Sequence, residues 1–384
     1  MFLALGFRPF YLFAALFAVV SIPLWIVSFS GIWHWTGYLQ GMNWHSHEML
    51  FGFAVAVMSG FLLTAVRNWT GLPTPSGAAL AALAGLWVLG RILIWTGPEQ
   101  LSAFVDVAFL PVLGITLALP VLKSGNQRNL KILLILMMLF LANCAYHLAS
   151  LGKIESLYMH LAITVTLDLF TILMAIVGGR VIPAFTANAV KSARPRRSLV
   201  VEVSAFGALL LILIGHLLKP AFALPDTLWL ILFIFAAGAH IIRLALWEPF
   251  KTLTNPLLLM LPMAYAWIPL SFAVRAFSML SKSPQAAADH ALAVGAIGGL
   301  MLAMMMRSAL GHTGRDLVAG KIEIFAFAAI QIAAIVRVTA ALAIPGVYRE
   351  ALVTAAFFWS LAFLIFLLKY GSVLTQPRID GRVG

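Results

Sequence analysis

Residues 9–29 read PFYLFAALFAVVSIPLWIVSF, a run without a single charged side chain. A helix that crosses a bilayer needs about twenty largely apolar residues. The run therefore predicts a membrane-spanning helix. It is longer than the apolar core of a secretory signal and no A-x-A cleavage site follows it, so we interpret it as a retained first helix.

The composition of the whole chain agrees with a lipid environment. Of the 384 residues, 62% are hydrophobic and 10% are charged, whereas about a quarter of a soluble domain is charged. The net charge of +12 does not indicate nucleic-acid binding, because the basic residues are spread over short segments between apolar runs. The single cysteine, Cys144, excludes an intramolecular disulfide and a multi-cysteine metal site.

Similar apolar runs recur along the chain and predict an all-α, polytopic membrane protein with about twelve transmembrane helices. Most of the 25 lysines and arginines fall at the termini and in the even-numbered loops, which places both termini in the cytoplasm. We expect a multi-pass protein of the bacterial inner membrane, in which residues 1–384 form one membrane domain and the arginine-rich segment 191–197 suggests halves 1–190 and 191–384. The predicted spans are roughly 10–30, 45–66, 77–96, 99–122, 130–151, 157–179, 199–218, 226–247, 256–281, 288–310, 321–344 and 350–370.

The histidines are the main candidates for chemistry, because an ionisable side chain inside a span needs a partner or a function. Neutral imidazole is a common ligand for copper and for haem iron, and helical bundles build such sites from facing helices. The pattern therefore predicts a metal or haem site between helices. His34 belongs to an outer loop, six histidines lie at the outer ends of spans (His45, His47, His147, His160, His216 and His290), and two lie toward the cytoplasmic ends (His240 and His312).

The densest group is WHSHEM at 44–49. Residues two apart on a helix point about 200° apart, so His45 and His47 can face one ion only if His45 lies in a freer entry turn. His45 and Glu48 are three apart and share a face, which predicts that Glu48 fixes the imidazole of His45. The alternative is an interfacial His–Glu pair beside Trp44.

The sequence around two further histidines predicts that they contact a cofactor. His290 begins a helix that carries Gly295 and Gly299, whose lack of side chains lets a flat macrocycle or another helix come close. His147 lies three residues after Cys144, so the two form a candidate copper-ligand pair. Simple helix packing is the alternative in both places.

The two histidines toward the cytoplasmic ends of their spans, His240 and His312, allow a haem to be held between them. Arg180 and Arg315 lie nearby in the predicted topology, and arginine forks suit the propionates of haem. Arginines that reach toward lipid headgroups are the alternative. On span six, Asp168 continues a polar stripe from His160, which predicts either a proton route or a hydrogen bond between helices.

Several longer motifs resemble the NnrS family, whose members are haem- and copper-containing inner-membrane proteins linked to the nitric oxide response. The resemblance covers nearly the whole chain in the same order. The motifs include FRPF at 7–10, WHSHEMLFGF at 44–53, GGRVIPAFT at 178–186, YAW at 265–267 and LGHTGR at 310–315.

The resemblance implies twelve spans, haem, copper and a role in relieving nitric oxide or nitrosative stress in bacteria. The sequence has no CxxCH motif for covalent attachment, so we expect a non-covalent haem b. The resemblance also implies a set of functional positions. This chain has Pro262 where the family pattern often has a histidine, so position 262 offers no ligand here. The implied positions are His45, His47, Glu48, Arg180, His240, His290, His312 and Arg315, with His147 as a looser match.

We therefore expect a metalloprotein that binds or turns over nitric oxide or a related species, in contact with membrane lipid and with an electron donor that the sequence does not identify. A polytopic transporter is one alternative, because twelve spans in two halves are common in transporters. A haem-binding sensor or electron-transfer protein without turnover is the other.

Overall fold

The structure, a computed structural model, describes residues 1–33, 36–125, 127–343 and 345–381, so that His34 lies outside the described residues. Within these residues, twelve helices are long and apolar enough to cross a membrane, and no strand occurs. The prediction of an all-α polytopic membrane protein is confirmed. The helices are α1 (Phe7–Phe29), α2 (Gly41–Thr70), α3 (Gly77–Thr96), α4 (Glu99–Lys123), α5 (Gln127–Ser150), α6 (Leu157–Ala189), α7 (Leu199–Leu218), α8 (Asp226–Ala245), α9 (Pro256–Ser281), α10 (Ala286–His312), α11 (Lys321–Leu342) and α12 (Tyr348–Thr375).

Large apolar side chains cover the outside of these helices. Phe104 is 73% exposed, Val200 is 74% exposed and Leu368 is 77% exposed. Apolar side chains at such exposure are stable in contact with lipid tails. The outer surface of the helices is therefore a lipid-facing surface.

The chain divides into two compact units. The first contains Met1–Thr166, Met305–Asp316 and Phe363–Gly384, and the second contains Leu167–Met304 and Leu317–Ala362. In the first unit, α1 packs against α2, and α4 packs against both α3 and α5. In the second, α8 packs against α7 and α9, and α10 packs against α11. The halves 1–190 and 191–384 stay a prediction.

Helix α2 begins earlier than the sequence predicts. It starts at Gly41 instead of residue 45, so His45 and His47 lie within regular helix and not in an entry turn. From Glu48 to Ala54 the helix widens into π-helical turns, and α10 does the same over Ala291–Gly298. Such turns shift the face on which later side chains lie and are frequent at functional sites. Both follow directly on histidines that the sequence singles out.

Helix α6 is longer than the sequence predicts. The pattern predicts a linker from Thr186, but the helix continues through Pro183 to Ala189. Proline has no N–H, so it leaves the carbonyl four residues earlier without its helical partner. That carbonyl belongs to Gly179, and the guanidinium of Arg197 donates a hydrogen bond to it. A side chain from beyond the helix therefore replaces the bond that Pro183 cannot make.

We expect Arg197→Met to lower the stability of the protein, because it leaves the Gly179 carbonyl without this donor. The expected loss is about 1 kcal/mol, since Arg197 is itself exposed and its hydrogen bond is partly solvated. The measurement is the unfolding temperature of the purified protein in detergent. The matched control is Arg196→Met, which removes an adjacent exposed arginine; equal unfolding temperatures for the two variants would contradict the role of Arg197.

Candidate metal centre

Three buried side chains from three helices meet in the first unit. His47 on α2, Asp106 on α4 and His147 on α5 each offer one ligand atom, and these atoms lie within 4.8 Å of one another. The exposed fractions are 0% for His47, 3% for Asp106 and 2% for His147. The Oδ2 atom of Asp106 is 3.3 Å from Nε2 of His47 and 3.0 Å from Nε2 of His147.

The direction of the helices explains why these residues meet. His47 and Asp106 lie near the starts of α2 and α4, whereas Arg91 and His147 lie near the ends of α3 and α5. Consecutive spans cross a membrane in opposite directions, so these starts and ends share one end of the bundle. The positive-inside prediction makes this the outer end.

Each imidazole also makes a hydrogen bond through Nδ1, the ring nitrogen that does not face Asp106. Nδ1 of His47 is 2.9 Å from Oε1 of Glu48, and Nδ1 of His147 is 3.1 Å from the hydroxyl of Tyr38. The Tyr38 hydroxyl in turn donates to the backbone carbonyl of His147 at 3.4 Å. Metal-binding histidines are oriented in this way, with Nδ1–H donated to an oxygen and Nε2 left for the ion.

Tyr38 lies in the loop before α2 and keeps its proton. Burial raises the pKa of Tyr38 above its ordinary value. Its ring also stacks on the ring of His147, with the centroids 5.6 Å apart and the planes 16° from parallel. Tyr38 therefore fixes His147 both by a hydrogen bond and by ring contact.

Arg91 bridges the two carboxylates of the group. Its guanidinium forms ion pairs with Glu48 and with Asp106. In their ionised forms the two acids and one arginine carry one net negative charge. A group with this charge, buried among apolar helices, is stabilised by one further positive charge.

The hydrogen bonds show where that positive charge would lie. A carboxylate can only accept, so Glu48 requires a proton on Nδ1 of His47 and leaves a lone pair on Nε2 of the neutral imidazole. Two acceptors face this lone pair, Asp106 Oδ2 at 3.3 Å and Asn143 Oδ1 at 3.1 Å. The amide of Asn143 is fixed in this orientation because its Nδ2 donates to Asp106 at 2.7 Å. A proton on Nε2 or a metal ion at the same place removes the repulsion.

The distances suit a small transition-metal ion. Ligand atoms at about 2.1 Å from a tetrahedral ion lie about 3.4 Å from one another, close to the 3.0 and 3.3 Å separations from Asp106. Two imidazoles and one carboxylate suit zinc, copper(II) or non-haem iron. Asp106 and Asn143 fill the space between the imidazoles, so this group suits a single ion and not a haem.

Among the residues predicted for the WHSHEM motif, only His47 and Glu48 enter this group. The i,i+3 spacing predicts a bond between Glu48 and His45, whereas the observed hydrogen bond joins Glu48 to His47. His45 lies on another face of α2, where its ring stacks on Trp25 with the centroids 4.2 Å apart. The π-helical turns that begin at Glu48 change the direction of its side chain and account for the difference.

His240, in the second unit, is the other fully buried histidine that the sequence predicts as a ligand. It is 0% exposed, and its Nδ1 lies 2.8 Å from the hydroxyl of Tyr265. The same hydroxyl accepts a hydrogen bond from Arg243 at 2.7 Å. Nε2 of His240 makes no hydrogen bond of acceptable geometry to any described residue, although the backbone of Ala205 lies near it.

The other predicted residues are His290, His312, Arg180 and Arg315. Nδ1 of His290 donates to the Ala286 carbonyl at 2.7 Å within its own helix. His312 lies in the first unit, with its ring beside Phe7 and its carbonyl bonded to Arg378. Arg180 belongs to the second unit and Arg315 to the first, and both are partly buried. A haem shared by His240 and His312 stays a prediction.

Asp168 pairs with another histidine. Its Oδ2 lies 2.7 Å from Nδ1 of His216 on α7, within the second unit. The sequence predicts either a proton route or a bond between helices at Asp168, and the structure shows the bond. The proton route stays a prediction.

Sequence reasoning missed Asp106, Arg91 and Tyr38 as members of the group. Asp106 and Arg91 are isolated charges in otherwise apolar spans, and that fact alone marks such residues as candidates. Their pairing across helices is not visible in the sequence. Tyr38 gives no signal, because its role depends on how the loop before α2 folds back.

The fold and the group define a polytopic membrane protein with a buried two-histidine, one-carboxylate cluster that can hold a metal ion. A family model described as "NnrS protein" matches residues 1–378. The chain therefore belongs to the NnrS family, as the sequence motifs predict. A search of curated proteins finds no match.

We expect His147→Gln to weaken binding of a divalent ion to the purified protein by roughly 10–100-fold, the range found when ligands or their supports are changed. Tyr38→Phe, which removes only the hydroxyl behind His147, should weaken binding by about tenfold. Calorimetric titration of the metal-stripped protein with copper(II) and zinc(II) measures both.

The matched control is His160→Gln, which replaces an exposed histidine on α6. It should leave the affinity unchanged. If the parent protein and His147→Gln bind both ions equally well, the group does not hold the metal.

Proposed function

We propose that this protein holds a transition-metal ion, with copper as the first candidate, between His47, Asp106 and His147, and that it binds or turns over nitric oxide or a related species there. Family membership links the chain to the nitric oxide response. The single observation that carries the proposal is the convergence of three acceptor groups on one buried point. The alternative occupant of that point is a proton on Nε2 of His47.

The chain's own residues prepare the site in three ways. Glu48 and Tyr38 orient the imidazoles, and Arg91 holds the second oxygen of the Asp106 carboxylate. Burial keeps bulk water from the ligand atoms. A copper or iron ion at this place would supply a binding position for nitric oxide and could exchange one electron with it.

A non-covalent haem b is the second part of the proposal, with His240 as an axial ligand. The support is the buried Nε2 of His240, while Tyr265 holds Nδ1 from behind. Iron binding at Nε2 requires the tautomer in which Nδ1–H of His240 donates to the Tyr265 hydroxyl. Arg243 carries a positive charge next to Tyr265 and is itself paired with Glu202 through two contacts of 2.8 Å.

We place the protein in a bacterial inner membrane with both termini in the cytoplasm, in contact with lipid and served by an electron donor of unknown identity. Turnover would make it a nitric oxide-metabolising metalloenzyme; binding alone would make it a sensor or electron-transfer protein. No observation favours a transporter. Helix α9 is interrupted at Ala266, but this residue keeps helical backbone angles (φ −59°, ψ −22°), so no unwound segment of the transporter kind exists there among the described residues.

We expect bacteria that express the chain to remove nitric oxide faster than cells that lack it, because metal-bound nitric oxide is withdrawn from solution or converted. Asp106→Asn should lower the added rate by roughly tenfold, because the amide takes away the negative charge that holds the ion. A nitric oxide electrode on anaerobic cell suspensions measures the rate.

His160→Gln and Cys144→Ser serve as controls, since neither residue belongs to the His47–Asp106–His147 group. Both should keep the parent rate at equal protein levels in the membrane. An Asp106→Asn variant that removes nitric oxide as fast as the parent would contradict the proposal.

A further inference from the structure

A cavity of about 480 Å³ lies in the second unit, where the end of α7 meets α8 and α9. Ligand pockets typically range from about 300 to 1,000 Å³, so its volume suits the head group of a small amphiphile. His216 and Lys219 line it from α7 and the residues just after it, Trp229 and Phe233 line it from α8, and Arg275 lines it from α9.

One polar group at this cavity is the pair formed by His216 and Asp168. Nδ1 of His216 lies 2.7 Å from Oδ2 of Asp168, and each side chain is only slightly exposed, at 11% and 12%. A carboxylate accepts, so Nδ1 carries a proton; when the imidazole is neutral, Nε2 is therefore an acceptor. No described residue forms a hydrogen bond with Nε2. A ligand that meets this atom must donate a hydrogen bond.

The wall of the cavity that α8 provides is flat and apolar. The Trp229 ring stacks on His216 with the centroids 4.8 Å apart, and Phe233 follows at 5.4 Å from Trp229. The guanidinium of Arg275 lies 5.6 Å from the centre of the Phe233 ring and pairs with Asp289. A guanidinium has five N–H donors, so Arg275 can also donate to an oxygen of a ligand.

The hydrogen-bonding groups and the flat wall of the cavity favour some amphiphiles over others. The phosphodiester of an anionic lipid has only acceptor oxygens, which can accept from Lys219 and Arg275 but would face the lone pair of Nε2 and the charge of Asp168. A phenolic hydroxyl donates to Nε2, a second ring oxygen accepts from Arg275, and a flat ring fits walls of this kind. An apolar tail remains in the lipid that surrounds the helices.

We propose that this cavity binds a hydroquinone-type lipid, with one ring hydroxyl donating to Nε2 of His216 while Asp168 holds the imidazole from behind. This proposal does not depend on the metal ion that we propose at His47, Asp106 and His147. Only the use of such a ligand as an electron donor would rest on the function proposed above.

The test is calorimetric titration of the full-length protein in nanodiscs of neutral phosphatidylcholine with a decyl benzohydroquinone under anaerobic conditions. The same compound with both hydroxyls methylated should bind about tenfold more weakly, the effect expected for one lost hydrogen bond. Because this comparison uses the unaltered protein, it does not depend on whether a variant folds.

Variants locate the site. His216→Leu combined with Asp168→Leu removes the acceptor without leaving a buried carboxylate alone, and should weaken binding of the hydroquinone by about tenfold. Leu230→Trp, which fills the cavity, should abolish it. The matched control His160→Leu replaces an exposed histidine on α6 and should bind as the parent does.

Three results would overturn the proposal. They are equal affinity for the hydroquinone and its methylated form, unchanged affinity in the double variant, and displacement of the hydroquinone by phosphatidylglycerol added to the nanodiscs. The last result would assign the cavity to an anionic lipid head group.

Discussion

A charge that is buried among apolar helices must be compensated by an opposite charge. In the part of the molecule that carries the candidate site, the ion pairs of Arg91 provide this compensation. Arg91 on α3 holds Glu48 on α2 and Asp106 on α4. Removing one member of a buried ion pair costs about 3–5 kcal/mol, because its partner is left uncompensated. The pairs therefore fix the ends of three helices relative to one another. The positions of His47 and His147 follow, because both imidazoles contact groups that Arg91 holds in place.

The same rule applies in the second unit, with a different result. Arg243 is matched by the two oxygens of Glu202, and Asp168 is matched by His216. In these pairs each carboxylate meets a donor. At the His47–Asp106–His147 group, by contrast, acceptors outnumber donors around one point. A proton on Nε2 of His47 or a metal ion at this point balances the acceptors.

The sequence predicts the fold well and the site only in part. Twelve spans follow from apolar runs alone, since lipid imposes a minimum length on every helix. His47 and His147 are predicted as ligands, yet the sequence does not reveal that Asp106 joins them, because the contact depends on which helices are neighbours. The pairing of Glu48 is predicted wrongly, because an i,i+3 spacing cannot show that π-helical turns begin at this residue. The hydrogen bond that satisfies the Gly179 carbonyl at Pro183 is also not visible in the pattern of α6, because Arg197 lies outside the helix.

The central claim is that two imidazoles and one carboxylate hold a metal ion, and X-ray absorption of the copper-loaded protein tests it most directly. The account predicts only nitrogen and oxygen neighbours at about 2.0–2.2 Å, together with the outer-shell scattering of two imidazoles, of which one is lost in His147→Gln. A sulfur neighbour at about 2.3 Å, from Cys144 or a methionine, or a spectrum that His147→Gln leaves unchanged, would contradict it.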